Sequence, residues 1–352
     1  MRCLHNLIFS PWQNNDAYAQ PDACLYPDDQ HAKDILGDGF SCDVVSVENK
    51  HGKRPSELRI IHNLPEESVD VAIVFFAGKG GTVLGNVNEA NTILCDHNGN
   101  EHLFAANTVF PTRTQLVKDM QKETVLPVIA PVLDRSGSFG KEARNHQFAE
   151  ILAHCQEKGI KTLHMTGESM GASDALAFAN YALEHKERYN IAVGSVAMAV
   201  PFDTLPNVAQ AREGNAARLL TSVPPDRHLN NITMLQEIYN KIHTDKNLAF
   251  PLTILTSGEK DLAVPSCLQH NTLQAAMNAR KNAQVSDASA PIHHINNTKA
   301  DHFLWDTQAF ARSVARAEQE RLEKPIAAVA STLNSEIKTG SQAVRVSEKR
   351  SV

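Results

Sequence analysis

Apolar positions along the chain fall into short, nearly continuous runs separated by polar stretches of helical period. Val69-Asp70-Val71-Ala72-Ile73-Val74-Phe75-Phe76 is the clearest run, and 125–133 is a second. Runs of this kind predict strands buried on both faces of a parallel sheet. Pro127 and Pro131 make the strand in 125–133 irregular and shorter than the run itself. Further strands are predicted at 161–166, 190–200, 251–256 and 292–296. Helices are predicted at about 112–123, 142–158, 170–184, 265–281 and 306–322. Strands alternating with helices imply a parallel α/β sheet, whose sites lie beyond the carboxyl ends of the strands. Ahead of this series, 41–48 and 57–63 alternate apolar with polar residues, which predicts an antiparallel edge pair linked through 50–55.

Four stretches interrupt the pattern. Residues 1–38 are polar and punctuated by Pro11, Pro21 and Pro27, and are expected to form an irregular arm. A polar excursion over 85–111 carries a hairpin turn at Asn98-Gly99. The stretch 204–249 is mostly helical in pattern. Met234, Leu235, Ile238, Tyr239 and Ile242 share one face there, which serves either as packing against the sheet domain or as a lid over a pocket. From 325 to 352 the chain is polar and serine-rich, as a loose tail is. The expected organisation is therefore a core of 39–203 and 250–324, a helical cap insertion of 204–249 and two irregular ends.

Bulk chemistry narrows the function classes. Apolar residues make up 42% of the chain and charged residues 21%, as in water-soluble globular proteins. A net charge of −6, with no basic block or stripe, argues against nucleic acid as a partner. The six cysteines are scattered without a Cys-x-x-Cys pair, which favours free thiols in a reducing compartment. No run approaches the roughly 18 apolar residues that a transmembrane segment needs. The N-terminal apolar stretch is broken by His5, Asn6, Ser10 and Pro11, so no signal peptide is expected and the cytoplasm is the default location. The polar tail leaves open an export route that needs no signal peptide.

The sharpest chemical signal is Thr166-Gly167-Glu168-Ser169-Met170-Gly171-Ala172, where a predicted strand ends and an alanine-rich helix begins. Gly-x-Ser-x-Gly in that setting places a serine on a sharp strand-to-helix turn, with its hydroxyl clear of the chain's own packing. The helix N-terminus beneath it favours developing negative charge. Read as packing alone, the glycines would serve only a tight turn. Read as chemistry, Ser169 is a nucleophile.

A serine hydroxyl needs a base to take its proton, and that base needs a carboxylate to hold its tautomer. In a sheet of this order, the acid and then the histidine should follow the serine in sequence. Among 16 histidines, His302 stands out because it lies in the loop between the last strand and the last helix, whereas His293 and His294 lie within the strand. For the acid, Asp261 in Gly258-Glu259-Lys260-Asp261 is favoured over Glu259, being nearer the helix that starts after Val264-Pro265. Asp203, after the strand at 190–200, is the alternative, and Asp301 is expected to be a loop residue. The oxyanion of an acyl-transfer intermediate requires aligned N–H donors. Met170, next to the serine, supplies one, and the turn after 69–76 another through Gly78 or Lys79. That glycine turn lacks the third glycine of a dinucleotide fingerprint, and its lysine comes too early for a P-loop.

These residues resemble the α/β-hydrolase superfamily over about 68–322. The resemblance rests on the elbow Gly167-Glu168-Ser169-Met170-Gly171, the glycine turn at 77–81, the Asp-Arg-Ser-Gly-Ser-Phe-Gly segment at 134–140, the acid loop at 258–265 and Asp301-His302-Phe303. It implies a mostly parallel eight-stranded sheet flanked by helices, a serine acyl-enzyme, and often a helical cap where 204–249 sits. The substrate would be a small or lipid-like carboxylic ester or thioester, as for esterases and lipases, and no metal or organic cofactor is implied. Acyl transfer or amide cleavage on the same triad, or ligand binding without turnover, are the other functions this scaffold carries. Two features depart from many members: Ala77-Gly78 stands where they have His-Gly, and Asp301 precedes the histidine where they have a small residue.

Overall fold

The computed structural model describes residues 27–47, 56–78, 81–87, 91–106, 108–133, 141–215, 229–245, 248–261 and 263–323. Eight strands form the central sheet: β1 (Ser41–Val47), β2 (Ser56–His62), β3 (Val71–Phe76), β4 (Val128–Val132), β5 (Thr162–Glu168), β6 (Ala192–Ala199), β7 (Leu252–Ser257) and β8 (Ile292–Asn297). Their spatial order is β1-β2-β4-β3-β5-β6-β7-β8. β2 runs antiparallel to both neighbours, and all other pairs are parallel. The sheet is thus the mostly parallel, eight-stranded one expected, with β1 and β2 as the antiparallel edge pair. In the strand with two prolines, Pro131 faces Ile60 across an antiparallel pair, and the strand is trimmed to Val128–Val132.

β3 shows how the layers are built. Ala72, Val74 and Phe76 point into one apolar cluster, while Ile73 and Phe75 point into another, all five fully buried. The first cluster is closed by α3 (Lys141–Glu157), α4 (Met170–Glu184), α6 (Asn231–Thr244) and α7 (Ser266–Asn282). The second is closed by α1 (Asp29–Leu36), α2 (Thr112–Thr124) and α8, which runs through 307–323. A sheet covered on both faces explains the unbroken apolar runs of its strands. Phe76, Phe148 and Phe178 meet edge to face at 5.1–6.0 Å, each such pair adding about 0.5–1.5 kcal/mol beyond its area burial.

Two expectations change against the structure. The arm expected over 1–38 contains a helix at Asp29–Leu36, capped by Asp28, whose side chain accepts from the His31 amide, and stopped at Gly37. Residues 1–26 and the tail from 324 lie outside the described residues. The 204–249 stretch divides: α6 buries Leu235, Ile238, Tyr239 and Ile242 in the main core, so its apolar stripe is packing and not a lid. The rest of the described stretch is α5 (Leu205–Glu213), capped by Thr204, which also pairs with Asn230 in an isolated antiparallel bridge; residues 216–228 lie outside the described residues. In the excursion, Thr92–Cys95 and Glu101–Phe104 form the expected hairpin, with Gly99 at φ 88° in its turn. No helix among the described residues is long and apolar enough to cross a membrane.

One buried polar chain locks α8 to the sheet. His164 of β5 is fully buried, with Nδ1 2.8 Å from Ser195 Oγ on β6 and Nε2 2.9 Å from Glu318 Oε2. Arg321 donates twice to the same carboxylate, at 2.6 and 2.8 Å. Burial alone would raise the Glu318 carboxyl, but Arg321 and His164 outweigh it and bring it from 4.5 down to about 2. A depressed carboxylate contributes stability that is present above its unfolded value and lost as pH falls through the folded one. The stability difference between the native protein and Glu318→Gln is therefore expected to be full above pH 4.5 and to shrink as pH falls toward 2. Urea denaturation at stepped pH reads this, and a difference that stays constant over the range contradicts it.

Candidate active site

The elbow is built by exclusion. β5 delivers the chain to Ser169, which sits at φ 51°, ψ −118°, a backbone region that L residues rarely occupy. The Ser169 amide donates to the Ala199 carbonyl of β6 at 2.8 Å, and its carbonyl accepts from Ala172 at 3.1 Å, so both backbone partners pin the turn. A Cβ on Gly171 would lie 2.0 Å from the Phe76 carbonyl oxygen, and one on Gly167 2.1 Å from the Gly171 oxygen. The strand and helix approach so closely that neither position accepts a side chain. Every residue from Thr162 to Ala182 is buried except Ser169. The strained residue is thus the one that solvent can reach.

The two loops beyond β7 and β8 bring a carboxylate to a histidine. His302 Nδ1 lies 3.0 Å from Asp261 Oδ2, with both side chains nearly or fully buried. Asp261 is held at five points. Ser257 Oγ and Gln269 Nε2 donate to Oδ2 at 2.6 and 2.9 Å, and the amides of Ala263 and Val264 donate to Oδ1 at 2.9 and 2.8 Å. The fifth is His302 itself. Gly258 fixes the spacing of the two loops, since a Cβ there would meet the Thr298 carbonyl oxygen at 2.0 Å. Burial alone would raise the Asp261 carboxyl, but His302, Ser257 and the Val264 amide outweigh it and hold it below the usual carboxylate value. Burial alone would likewise lower the His302 imidazole, yet Asp261, followed by Glu168 and Asp301, leaves it above its ordinary 6.5.

Asp203, the alternative acid, is engaged elsewhere. Its carboxylate accepts from the Thr204 amide at 2.5 Å and from the side chains of Asn207 and Asn271 at 2.9 and 3.0 Å, which anchors α5 to α7. Asp301 does not pair with its neighbour's ring. It accepts from the Cys95 and Phe303 amides at 2.8 and 2.9 Å and so ties the excursion hairpin to the histidine loop. Met170 opens α4, and its amide is among the first helical N–H groups, which have no partner within the helix. The Met170 side chain packs in an apolar cluster with Phe202 and Leu205 from the stretch after β6, with Val264 from the acid loop and with Leu268 from the start of α7. The elbow and the acid loop therefore share one packed wall.

Sequence reasoning missed an ion pair at the centre of this arrangement. Glu168, the residue before the serine, is buried and bonded to Arg113 of α2, which is 3% exposed. Arg113 also donates to the Thr82 and Gly85 carbonyls at 3.3 and 3.2 Å, clamping the turn after β3 against the end of β5. The Gly78 amide, an expected oxyanion donor, lies 3.3 Å from Glu168 Oε1 and faces that carboxylate. Lys79 and the 134–140 segment lie outside the described residues. A glutamate inside Gly-x-Ser-x-Gly was the available signal, because a charge at the end of a buried strand needs a partner. Nothing in the spacing pointed to position 113. Gln269 and Ser257, which hold the acid, carried no signal either.

No protein-family model matches the chain, and no curated protein matches its sequence. Solved structures resemble it. An esterase of Rhizomucor miehei, 14% identical, has a TM-score of 0.45 over 82% of this chain and 85% of its own. An esterase of Pyrobaculum calidifontis is 13% identical over the same shares, with a TM-score of 0.44. A thermostable esterase of Pseudomonas putida is 14% identical over 80% of each chain, with a TM-score of 0.40. The chain's own fold rests on its sheet, eight-stranded and mostly parallel with helices on both faces.

Removing one partner of a buried ion pair strands the other charge and costs about 3–5 kcal/mol, whereas replacing both with apolar groups is often nearly neutral. Arg113→Met is therefore expected to lower the unfolding free energy by about 3–5 kcal/mol. The double change Arg113→Met with Glu168→Leu should recover most of that loss, because no buried charge remains. Chemical denaturation of the two variants reads it, and a double variant as unstable as the single would contradict a charge-based cost.

Proposed function

We propose that this chain is a serine hydrolase that cleaves a carboxylic ester or thioester through an acyl-enzyme. The observation that carries the proposal is the exposure of Ser169 alone within a buried stretch, at a strained turn on a helix N-terminus. An isolated strained serine would be a curiosity. Here it shares a packed wall with the loop of an Asp–His pair whose histidine already feels the charge of Glu168, the residue before the serine.

Ser169 Oγ attacks the substrate carbonyl carbon while His302 takes its proton. The oxygen gains negative charge, which the Met170 amide and the turn after β3 receive. With the Gly78 amide facing Glu168, Lys79 is the better second donor of that turn. Collapse of the tetrahedral intermediate expels the alcohol or thiol, which His302 protonates, and leaves the acyl group on Ser169. Water then repeats the sequence with His302 again as base. Asp261 stays ionised throughout, holding the imidazole by Nδ1 and stabilising the imidazolium as it forms. Its depressed pKa suits that task. Among the described residues, the wall beside the serine is made of Met170, Phe202, Leu205 and Val264, which suits an apolar acyl or alcohol group.

Labelling with a fluorophosphonate probe tests the nucleophile: the native protein should label, and Ser169→Ala should not. Ester turnover should fall about 10⁴-fold or more in Ser169→Ala, because the triad acts as a unit. Labelling that persists undiminished in Ser169→Ala would overturn the assignment. Asp261→Asn should cost about 10⁴-fold in kcat, while Asp203→Asn should act on stability and leave most of the turnover. The pH profile has a definite sign. His302 must be neutral to act as base, so kcat/KM should fall on the acid side with a midpoint above the ordinary 6.5. A midpoint clearly below that value would remove His302 from the role.

A further inference from the structure

At the opposite edge of the sheet, three side chains from three elements converge on one point. Asp43 comes from β1, His62 from the end of β2 and His154 from α3. Their ligand atoms all lie within 4.8 Å of one another. His62 Nε2 is 3.2 Å and His154 Nε2 3.8 Å from Asp43 Oδ2. Ligands about 2.0–2.2 Å from a tetrahedral zinc ion stand roughly 3.3–3.5 Å apart, and the two measured spacings bracket that range. We infer that Asp43, His62 and His154 form a binding site for a divalent transition metal of the zinc class, with the fourth position open to water.

Two observations point to a ligand rather than to ordinary packing. His154 is 6% exposed, and its buried Nε2, aimed at the cluster, has no hydrogen-bond partner. An orphaned imidazole nitrogen in the interior is a cost the fold carries unless something binds it. The donor set is also selective. Two imidazoles and one carboxylate suit zinc, cobalt, nickel or copper, and not the oxygen-seeking calcium or magnesium.

The present occupants must yield in small ways. Lys158 Nζ lies 3.4 Å from Asp43 Oδ2 and supplies the positive charge there now, but its side chain is 41% exposed and free to swing into solvent. His62 Nδ1 accepts from the Leu64 amide at 3.3 Å, which puts the ring proton on Nε2. Metal binding at Nε2 moves that proton to Nδ1, which releases the Leu64 amide and turns the proton to Ser41 Oγ, 3.4 Å away. No proton is lost in this exchange, only relocated within the ring. The bound ion would join the β1–β2 edge to α3 in place of the half-exposed Asp43–Lys158 pair, and would raise thermal stability by mass action.

The test uses the full, untagged chain titrated with ZnCl2 by calorimetry in a non-chelating buffer, beside His154→Gln and Asp43→Asn. We expect one zinc per native chain, a Tm that rises with zinc, and affinity at least tenfold weaker in each variant, with far-UV circular dichroism unchanged. Should either variant fail to fold, Co²⁺ added to the native protein decides, because a tetrahedral site gives strong visible d–d absorption. Lys158→Met should bind zinc more tightly than the native chain. Zinc bound equally by native chain and folded variants would place it among the other histidines and overturn the site. Absence of zinc binding, or of tetrahedral Co²⁺ bands, in the native protein would also overturn it.

Discussion

The contact on which the rest depends is the approach of α4 to the end of β3, where Gly171 lies against the Phe76 and Ala77 carbonyls with no room for a Cβ. Any larger residue would lift the helix from the sheet. That would take Ala172, Ala175, Leu176 and Phe178 out of the core they share with Phe76 and Phe148. The same closeness compels Ser169 into a positive φ, because the chain must pass from strand to helix in one residue. Backbone strain of about 1–3 kcal/mol is tolerable there only because the surrounding packing over-determines it. The reactive geometry and the hydrophobic core are therefore two results of one steric limit.

Around that turn, polar groups are divided between those that hold structure and those left with chemical capacity. Among the described residues, two combinations of serine, histidine and carboxylate stand in contrast, one bonded within the sheet and one proposed for the reaction. In one, Ser195, His164 and Glu318 are hydrogen-bonded in series inside the sheet, with His164 fully buried and both ring nitrogens engaged. In the proposed one, Asp261 is saturated by its neighbours while Ser169 is partly exposed on a strained turn. Residue types alone do not distinguish the two. Solvent access and backbone conformation do, and both follow from whether the serine lies within a strand or at its end.

Much of this was legible in the sequence because it depends on local period and order. The strands of the sheet announce themselves as apolar runs, and the elbow, acid loop and histidine loop each follow a predicted strand. The stripe on Asn231–Thr244 was legible as an amphipathic helix, but its partner was not, since the same face fits a lid or a core layer and only the neighbouring helices decide. The choice between Asp261 and Asp203 was equally beyond pattern: both follow a strand, and what separates them is which loop lies against His302. The Arg113–Glu168 pair joins residues 55 positions apart, and no periodicity connects them. Helix Asp29–Leu36 was missed for a different reason, because its cap at Asp28 and stop at Gly37 are short signals inside a proline-punctuated stretch.

Two buried histidine–aspartate clusters among the described residues respond to burial in opposite ways, and the carboxylate explains the difference. At His302 the partner Asp261 has no exposed side-chain surface, so little solvent screens the attraction, and the imidazole is held above its ordinary pKa despite its own burial. At His62 and His154 the partner Asp43 is 41% exposed and shared with Lys158, and burial prevails and drives both rings down. Charge pairs gain strength as water leaves both members, not one. A buried acid makes its histidine a proton acceptor poised to become a cation. A half-exposed acid shared with a lysine holds its histidines less strongly. In the two roles proposed here, one pair of residue types would serve proton transfer at one edge of the sheet and coordination at the other, according to how deeply a single carboxylate is buried.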